Sequence, residues 1–337
     1  MIYLIPYFKE SVHYMSIKAE LLSALIKNDK NFISGEKLSK ELFCSRNAIW
    51  KAVKSLQADG FEIEAVTNKG YRLKNIGSVL NKESVEHYLG SFGSKLNVIV
   101  MDTVSSTNDY LKELAAKGAD DGTVVIALNQ TKGKGRLGRS FYSPENTGVY
   151  LSILLRPKLS LSECLFLTTS AAVAVAEAVE SVSGKNVTIK WVNDVFLDDK
   201  KICGILTEAS TDIECGGLSY AVVGIGVNTC EPQGGFPDEL KDIVGAVFDS
   251  SGEAPRAKLA AEIIKRFYSF YETLPERTFL DGYIKRSNLL GKKVRVINGE
   301  NVSNATAIKI GRDCRLLVRF ENGTEKWLSS GEVSVKL

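Results

Sequence analysis

The sequence predicts a multidomain α+β chain in three parts: a winged helix-turn-helix, a mixed α/β sheet domain and a small β-barrel. Three observations predict it. Helical spacing gives way to two short alternating runs before residue 75, β-branched runs then alternate with helical patterns from about Leu96 to Leu274, and after Ser287 only short strands with Asn-Gly and Gly turns remain. At 337 residues, 44% apolar and 25% charged, the chain exceeds what one core usually fills. That composition also excludes a wholly disordered, collagen-like or disulfide-scaffold protein.

The opening MIYLIPYFKESVHY lacks the basic stretch and small-residue cleavage site of a secretory signal, and Met15 directly precedes the first helical pattern. Residues 1–14 are therefore read as an upstream extension and the cytoplasm as the location. Ile17, Leu21, Leu22, Leu25 and Ile26 share one helical face, which ends in the polar cluster NDKN. Ser34 is a candidate N-cap for a second helix with Leu38 and Leu42 four apart. Ser45 is one for a third, with Ile49, Val53 and Leu56 inward. FEIEAV and GYRL, joined through Asn68-Lys69-Gly70, form a hairpin. This order is that of a winged helix, whose third helix presents its N-terminal half to the DNA major groove. Ser45, Arg46, Asn47, Lys51 and Lys54 are the candidate DNA-facing residues. Residues 16–75 hold 11 Lys and Arg against 7 Asp and Glu, whereas the whole-chain charge of +3 is uninformative. The same fold used for protein contacts is the alternative.

Residues 75–95 mix Gly, Ser and Asn with a short helical pattern and read as a linker leading into a short helix, with the second domain starting near Leu96. NVIVMDTV, GTVVIALNQ, GVYLSILLRP, VTIKWVNDVFL, KICGILTEA and LSYAVVGIGVNT are its strand runs, with helices at Asn108–Lys117, Leu161–Val182 and Ala254–Leu274. No run approaches the roughly 18 apolar residues of a membrane span, so the Ala/Val-rich second helix is read as buried on the sheet. KKVRVING, NVSNATAIKIG, CRLLVRFENG and EKWLSSGEVSVKL supply the closing strands. The resulting limits are 15–75, 76–286 and 287–337. Six cysteines, at 44, 164, 203, 215, 230 and 314, show neither a CxxC pair nor zinc-site spacing and read as buried reduced thiols.

Three segments carry chemistry. QTKGKGRLGRSF interleaves Gly133, Gly135 and Gly138 with Lys132, Lys134, Arg136 and Arg139. Glycines let a backbone approach a ligand, and the cations neutralise phosphate or carboxylate, so an anion-binding loop is the natural reading. It is neither a Walker A nor a dinucleotide fingerprint; a surface turn or a nucleic-acid contact stays open. KWVNDVFLDDKKICGILTE concentrates Lys190, Asn193, Asp194, Lys201 and Glu208 in what reads as one hairpin. A lysine there stabilises charge on a transferring carboxylate or phosphate and Asp194 could hold Mg²⁺; an exposed turn is the bland alternative. Ser105-Ser-Thr-Asn lies between strand and helix, where capping competes with ligand binding.

Together these segments resemble, in order and over nearly the whole chain, the bacterial bifunctional biotin-protein ligase and biotin operon repressor family, from SGEKLSKELFCSRNAIWKAVKSL to KWLSSGEVSV. The resemblance implies a catalytic domain related to class II aminoacyl-tRNA synthetases, an SH3-like C-terminal barrel and ATP-dependent biotinylation of a carrier-protein lysine. It also implies biotin, ATP and Mg²⁺ as ligands, biotin carboxyl carrier protein and operator DNA as partners, a homodimer when adenylate is bound, and no membrane. By motif, Ser106, Thr107 and Gln130 bond biotin's ureido ring, and Gly133, Lys134, Gly204, Leu206, Gly224 and Gly226 shape its pocket. Arg136 and Lys201 are the catalytic pair, at the carboxylate and phosphate; Arg139, Lys190, Asn193 and Asn228 serve the nucleotide and Asp194 the metal. Lys134 replaces the usual Arg and Val192 the usual Pro, losing a guanidinium fork and a rigid turn. No RRxSGGG segment of the lipoate-ligase kind is present.

Overall fold

A computed structural model describes residues 17–28, 31–74, 79–211, 217–250, 254–298, 301–329 and 332–335; residues 1–14 and Cys215 lie outside the described residues. The chain divides into two compact units, Met1–Ile76 and Gly77–Leu337.

In the first unit α1 (Ile17–Lys27), α2 (Gly35–Glu41) and α3 (Arg46–Ala58) precede the hairpin of β1 (Ile63–Val66) and β2 (Gly70–Leu73). The Ser34 hydroxyl accepts from Lys37 N–H and that of Ser45 from Ala48 N–H, each at 3.1 Å, satisfying donors the first helical turn leaves over. Leu21, Leu25, Leu38, Ile49, Val53 and Leu56 are buried, so the inward faces read from spacing are the packed ones. Gly70 has φ +101°, and a Cβ there would lie 2.1 Å from Ile33 O, where residue 33 bridges to Tyr71. Only glycine fits that crossing.

The short helix expected before Leu96 is α4 (Lys82–Leu89), and it belongs to the second unit, where Leu80, Val85 and Leu89 are buried in the main core with Ile263, Ile264 and Phe267. Strands β3 (Asn97–Val104), β4 (Thr123–Gln130), β5 (Gly148–Leu155), β6 (Thr188–Lys190), β7 (Asp194–Leu197), β8 (Lys200–Thr211) and β9 (Leu218–Asn228) form one sheet ordered β3-β4-β5-β9-β8-β7-β6. Only β3 and β4 run parallel. Period-two alternation sends Val124 and Ile126 to one face, under α4, α6 (Cys164–Ser183) and α7 (Arg256–Glu272). It sends Val125 to the other, under α5 (Thr107–Ala116). Contrary to the sequence reading, Leu161–Ser183 is long and apolar enough to cross a membrane; 72% of its most apolar 18-residue window is buried, and packing on the sheet accounts for its composition. A short α8 (Leu280–Lys285), unmarked in the sequence, follows α7.

Strands β10 (Lys293–Asn298), β11 (Asn301–Ile310), β12 (Leu316–Phe320), β13 (Glu325–Leu328) and β14 (Glu332–Val335) form a small antiparallel sheet ordered β13-β12-β11-β10-β14. Its apolar face joins the main core, and Trp191 Nε1 donates to Cys314 O at 2.9 Å across the junction. Cys203, Cys230 and Cys314 are buried, but Cys44 and Cys164 are partly exposed, which corrects the uniform expectation of buried thiols. Burial pushes the Cys203 thiol far above its usual range, so it stays protonated near neutrality.

Arg286, just after α8, grips Glu180 of α6 with two bonds, Nε to Oε1 at 3.0 Å and Nη2 to Oε2 at 2.7 Å, and its carbonyl accepts from Ile189 N–H at 2.7 Å. The Arg286 bond holds the Glu180 carboxyl below its ordinary value of 4.5. The stabilisation is therefore present above the unfolded pKa and lost as pH falls through the folded one. Glu180→Gln is expected to cost about 1.5–3 kcal/mol at neutral pH in urea unfolding, with the gap narrowing as pH falls below the ordinary carboxylate range.

Candidate functional site

A cavity of about 320 Å³ opens over the end of β4, the first half of β8 and the second half of β9. Its polar end is the N-terminus of α5. The Ser106 hydroxyl accepts from Asp109 N–H at 3.4 Å as the helix cap, so capping and cavity lining coincide. Gln130 Oε1 accepts from Thr107 N–H at 2.9 Å and lies 3.1 Å from Thr107 Oγ1, while its Nε2 donates to Ser143 Oγ at 3.0 Å. Asn108, which sequence reasoning passed over, also lines this end and is buried. Its Nδ2 donates to Glu208 Oε2 at 2.8 Å and Leu206 O at 3.2 Å.

The floor is made of glycines. A Cβ on Gly224 would lie 2.1 Å from Asn108 Oδ1, and one on Gly226 2.5 Å from the Phe141 ring. Gly204 also faces Phe141, at 3.2 Å. Phe141 closes the basic loop, and an aromatic side chain directly after the Gly-rich run was the signal for it. The loop is pinned at its base: Phe141 N–H donates to Gly133 O at 2.8 Å, Gln130 N–H to Ser143 O at 3.1 Å and Lys132 N–H to Ser105 O at 2.8 Å. Gly133 does not line the cavity; it packs beneath the loop, where a Cβ would lie 2.3 Å from Phe141 O.

Five cations line the cavity, Lys134 beside the first turn of α5 and Arg136, Arg139, Lys190 and Lys201 with it. Asp194 is the one carboxylate among the lining residues. Lys201 pairs with Asp194 at 2.7 Å, Lys134 with Asp109 at 2.6 Å, and Arg136 Nη1 donates to Asn193 Oδ1 at 2.8 Å. Asn193 is in turn held by Nδ2 to Ile205 O at 2.9 Å. Burial works to raise the Asp109 carboxyl, but its bonds to Lys134 and Lys112 leave it below its usual range. The Lys201 backbone is clamped between Ile243 O and Gly245 N–H, each at 2.9 Å, which brings Ile243 to the wall without any sequence signal.

The 190–208 segment is not one hairpin. It is three strands, reversing at Trp191–Asn193 and again at Asp198-Asp199, with a cis peptide between Trp191 and Val192. Glu208 therefore lies away from Lys190 and Lys201, beside Lys112 of α5 at 2.6 Å. Leu206 and Gly204 line the cavity as expected, but Asn228 does not: it is buried and ties the end of β9 to Gly245 O at 3.2 Å. Among the described residues no group of three or more His, Cys, Asp or Glu could hold a metal by itself. A divalent ion here would rest mainly on ligand phosphates, with Asp194 as the protein carboxylate.

In the first unit, Ser45, Arg46, Asn47, Lys51 and Lys54 are all exposed on or at the start of α3. Trp50, missed in the sequence, is 51% exposed between them. Ser45 is engaged as the helix cap.

Residues 100–228 match the biotin/lipoate A/B protein ligase family, residues 18–72 an HTH domain family and residues 289–336 the biotin protein ligase C-terminal domain. The chain is 34% identical over 321 residues, 94% of its length, to the bifunctional ligase/repressor BirA of Bacillus spizizenii, of which it covers 98%. Over 94% of its length it is 28% identical to BirA of Escherichia coli, covering 96% of that protein. Among solved structures, a biotin protein ligase from Aquifex aeolicus in complex with biotin and ATP superposes with a TM-score of 0.60 at 31% identity, over 71% of this chain and 98% of that one.

The glycine floor makes a direct prediction. Gly226→Ala forces the new methyl into Phe141 and is expected to cost about 1–3 kcal/mol in urea unfolding, while Phe141→Ala in the same chain relieves most of that penalty.

Proposed function

Because the chain belongs to the family of bifunctional biotin-protein ligase/repressors, we propose that this cavity joins biotin to ATP and passes the biotinyl group to a protein lysine, while the winged helix reads an operator. The observation that carries this reading is one cavity that joins the hydrogen-bonding start of α5 to a cluster of cations, Arg136 and Lys201 held at Asn193 and Asp194, with one carboxylate in its lining. A long acid with a polar head suits the first, and a triphosphate the second.

Chemically, an oxygen of biotin's carboxylate attacks the α-phosphorus of ATP and pyrophosphate leaves, giving biotinyl-5′-AMP. A lysine Nζ of the carrier protein then attacks the acyl carbon, loses a proton, and AMP leaves. Ser106, Thr107 and Gln130 hold the ureido ring. Lys134, Gly204, Leu206, Gly224 and Gly226 bound the pocket, with Gly133 behind the loop. Lys201 stands at the carboxylate–phosphate junction and Arg136 beside it, stabilising charge that grows on the phosphoryl oxygens. Arg139, Lys190 and Asn193 serve the nucleotide. Asn228, outside the cavity wall, acts on it through the segment around Gly245. Mg²⁺ would be held by Asp194 with the phosphates and would neutralise the leaving pyrophosphate. The loop of residues 133–141 keeps water from the mixed anhydride.

A broad groove shares Arg136, Ile205 and Leu206 with the cavity and runs between the start of α6, Arg277 and Asp313–Arg315, which offers the carrier lysine a route to the acyl carbon. We assign the partner as a biotin carboxyl carrier protein. The central domain is assigned to the class II aminoacyl-tRNA synthetase relatives and the closing sheet to the SH3-like barrels, with working limits of 15–75, 76–286 and 287–337 and a cytoplasmic site of action. Adenylate that orders loops at a dimer surface would lower the cost of dimerisation and set two winged helices over two half-sites.

Pyrophosphate release with ATP, Mg²⁺ and biotin, run beside lipoate and followed by labelling of a carrier domain, tests the ligase. Biotin-dependent release with labelling is expected; no release with either acid from folded protein would leave a ligand sensor without catalysis. Lys201→Met should slow adenylation about 10²–10³-fold. Arg136→Gly should still form adenylate but release it to solution, and tight retention by that variant would remove the loop's role. Arg46→Ala and Lys54→Ala should each weaken operator binding by about 1–3 kcal/mol in gel shifts with biotin and ATP, while carrier labelling is unaffected.

A further inference from the structure

The network behind the polar end has a direction, and that direction selects the ligand. Both N–H bonds of the Asn108 amide go to groups that only accept, the Glu208 carboxylate at 2.8 Å and Leu206 O at 3.2 Å, so its Oδ1 faces Ser152 Oγ, 2.6 Å away. Ser152 is fully buried on β5 and has one hydrogen, which goes to that oxygen. Two acceptors then compete for the single Thr107 hydrogen: Ser152 Oγ at 2.7 Å and Gln130 Oε1 at 3.1 Å. Whichever takes it, the hydrogen stays inside the protein, and Thr107 Oγ1 offers the cavity lone pairs only. Lys112 anchors the far end, bonded to Glu208 Oε1 at 2.6 Å and to Asp109 at 2.9 Å.

We infer that Glu208, acting through Asn108 and Ser152, is a positioning residue that holds Thr107 as a hydrogen-bond acceptor and so selects acids whose head group carries N–H donors. The inference rests on the proposed biotin site and deepens it. A ureido ring supplies such donors, whereas a cyclic disulfide or plain alkyl head has none and would leave the Thr107 acceptor buried without a partner. No contact between Glu208 and the ligand is involved. Replacing the carboxylate by an amide introduces N–H groups that can face Asn108 Oδ1. Asn108 then keeps Leu206 O, at 3.2 Å, as the one acceptor-only partner opposing a flip of its amide, and the flipped state gains population. In the flipped state its Nδ2 donates to Ser152, Ser152 donates to Thr107, and the Thr107 hydrogen is no longer demanded on both sides.

The test is a ligand–protein double-mutant cycle on the full chain, measured by calorimetry and by competition. Its probes are biotin and the isosteric analogue in which CH₂ replaces each ureido N–H. Glu208→Gln is expected to weaken biotin about tenfold to a hundredfold while changing the analogue by no more than about twofold, because only biotin uses the acceptor. Ser152→Ala cuts the relay without touching the charge and should give the same pattern, which keeps the test open if the first variant does not fold. Equal weakening of both ligands in either variant means a merely structural role and overturns the inference. Failure of the wild-type protein to bind biotin at all would instead overturn the ligase reading, and this inference with it.

Discussion

Like charges gathered round one small cavity repel, and the arrangement of this site depends on how that repulsion is contained. Five cations face a space of about 320 Å³ with a single carboxylate among its lining residues. Their tethers include Lys134 to Asp109, Arg136 to Asn193 and Lys201 to Asp194. Each tether rests on a rigid element, the first turn of α5, the reversal between β6 and β7, or the start of β7. A site built this way keeps a standing demand for anionic ligand and needs little reorganisation when one arrives. The bonds that hold the charges spread from the cavity into the helix and sheet behind it.

That spreading explains why distant parts of the second unit bear on the cavity. Trp191, at the reversal, is bonded to Cys314 of the small C-terminal sheet, and Tyr283 of α8 donates to Val192 O at 2.9 Å. Arg286 couples the same α8 to α6 and to the start of β6. Val333 of β14 reaches the cavity wall. The closing sheet is thus a support for the cationic end, joined to it by hydrogen bonds and a shared apolar core, and not a separate appendage.

Most elements were legible because their signals are local. Helical spacing in α1–α3 and β-branched runs in β3–β5, β8 and β9 correspond to the observed elements, and Ser34, Ser45 and Ser106 cap as their positions suggest. The failures are tertiary. VTIKWVNDVFL reads as one strand, yet it turns back at Asn193, because the Asn193 side chain and carbonyl both bond to Ile205 on a neighbouring strand. Residues 75–95 read as a linker with a short entry helix, and composition gives no sign that this helix, α4, buries Val85 in the main core. In the site, the cations and glycines stood out by type. Ile243 and Val333 did not, since an apolar residue brought to a wall from afar carries no local mark. Asn108 carries no mark of its own in Ser105-Ser-Thr-Asn, where the hydroxyls attract both the capping and the ligand-binding reading.

The glycine floor limits what sequence change can do to this cavity. Gly224 and Gly226 already carry the smallest side chain available, and their neighbours Asn108 and Phe141 press against the main chain itself. The depth of the pocket over these two residues is therefore a property of backbone position in β9, which no substitution at Gly224 or Gly226 can increase. Remodelling the protein to accept a bulkier acid has to begin at the walls, by trimming Phe141 or Leu206, and drift in the floor can only make the pocket shallower.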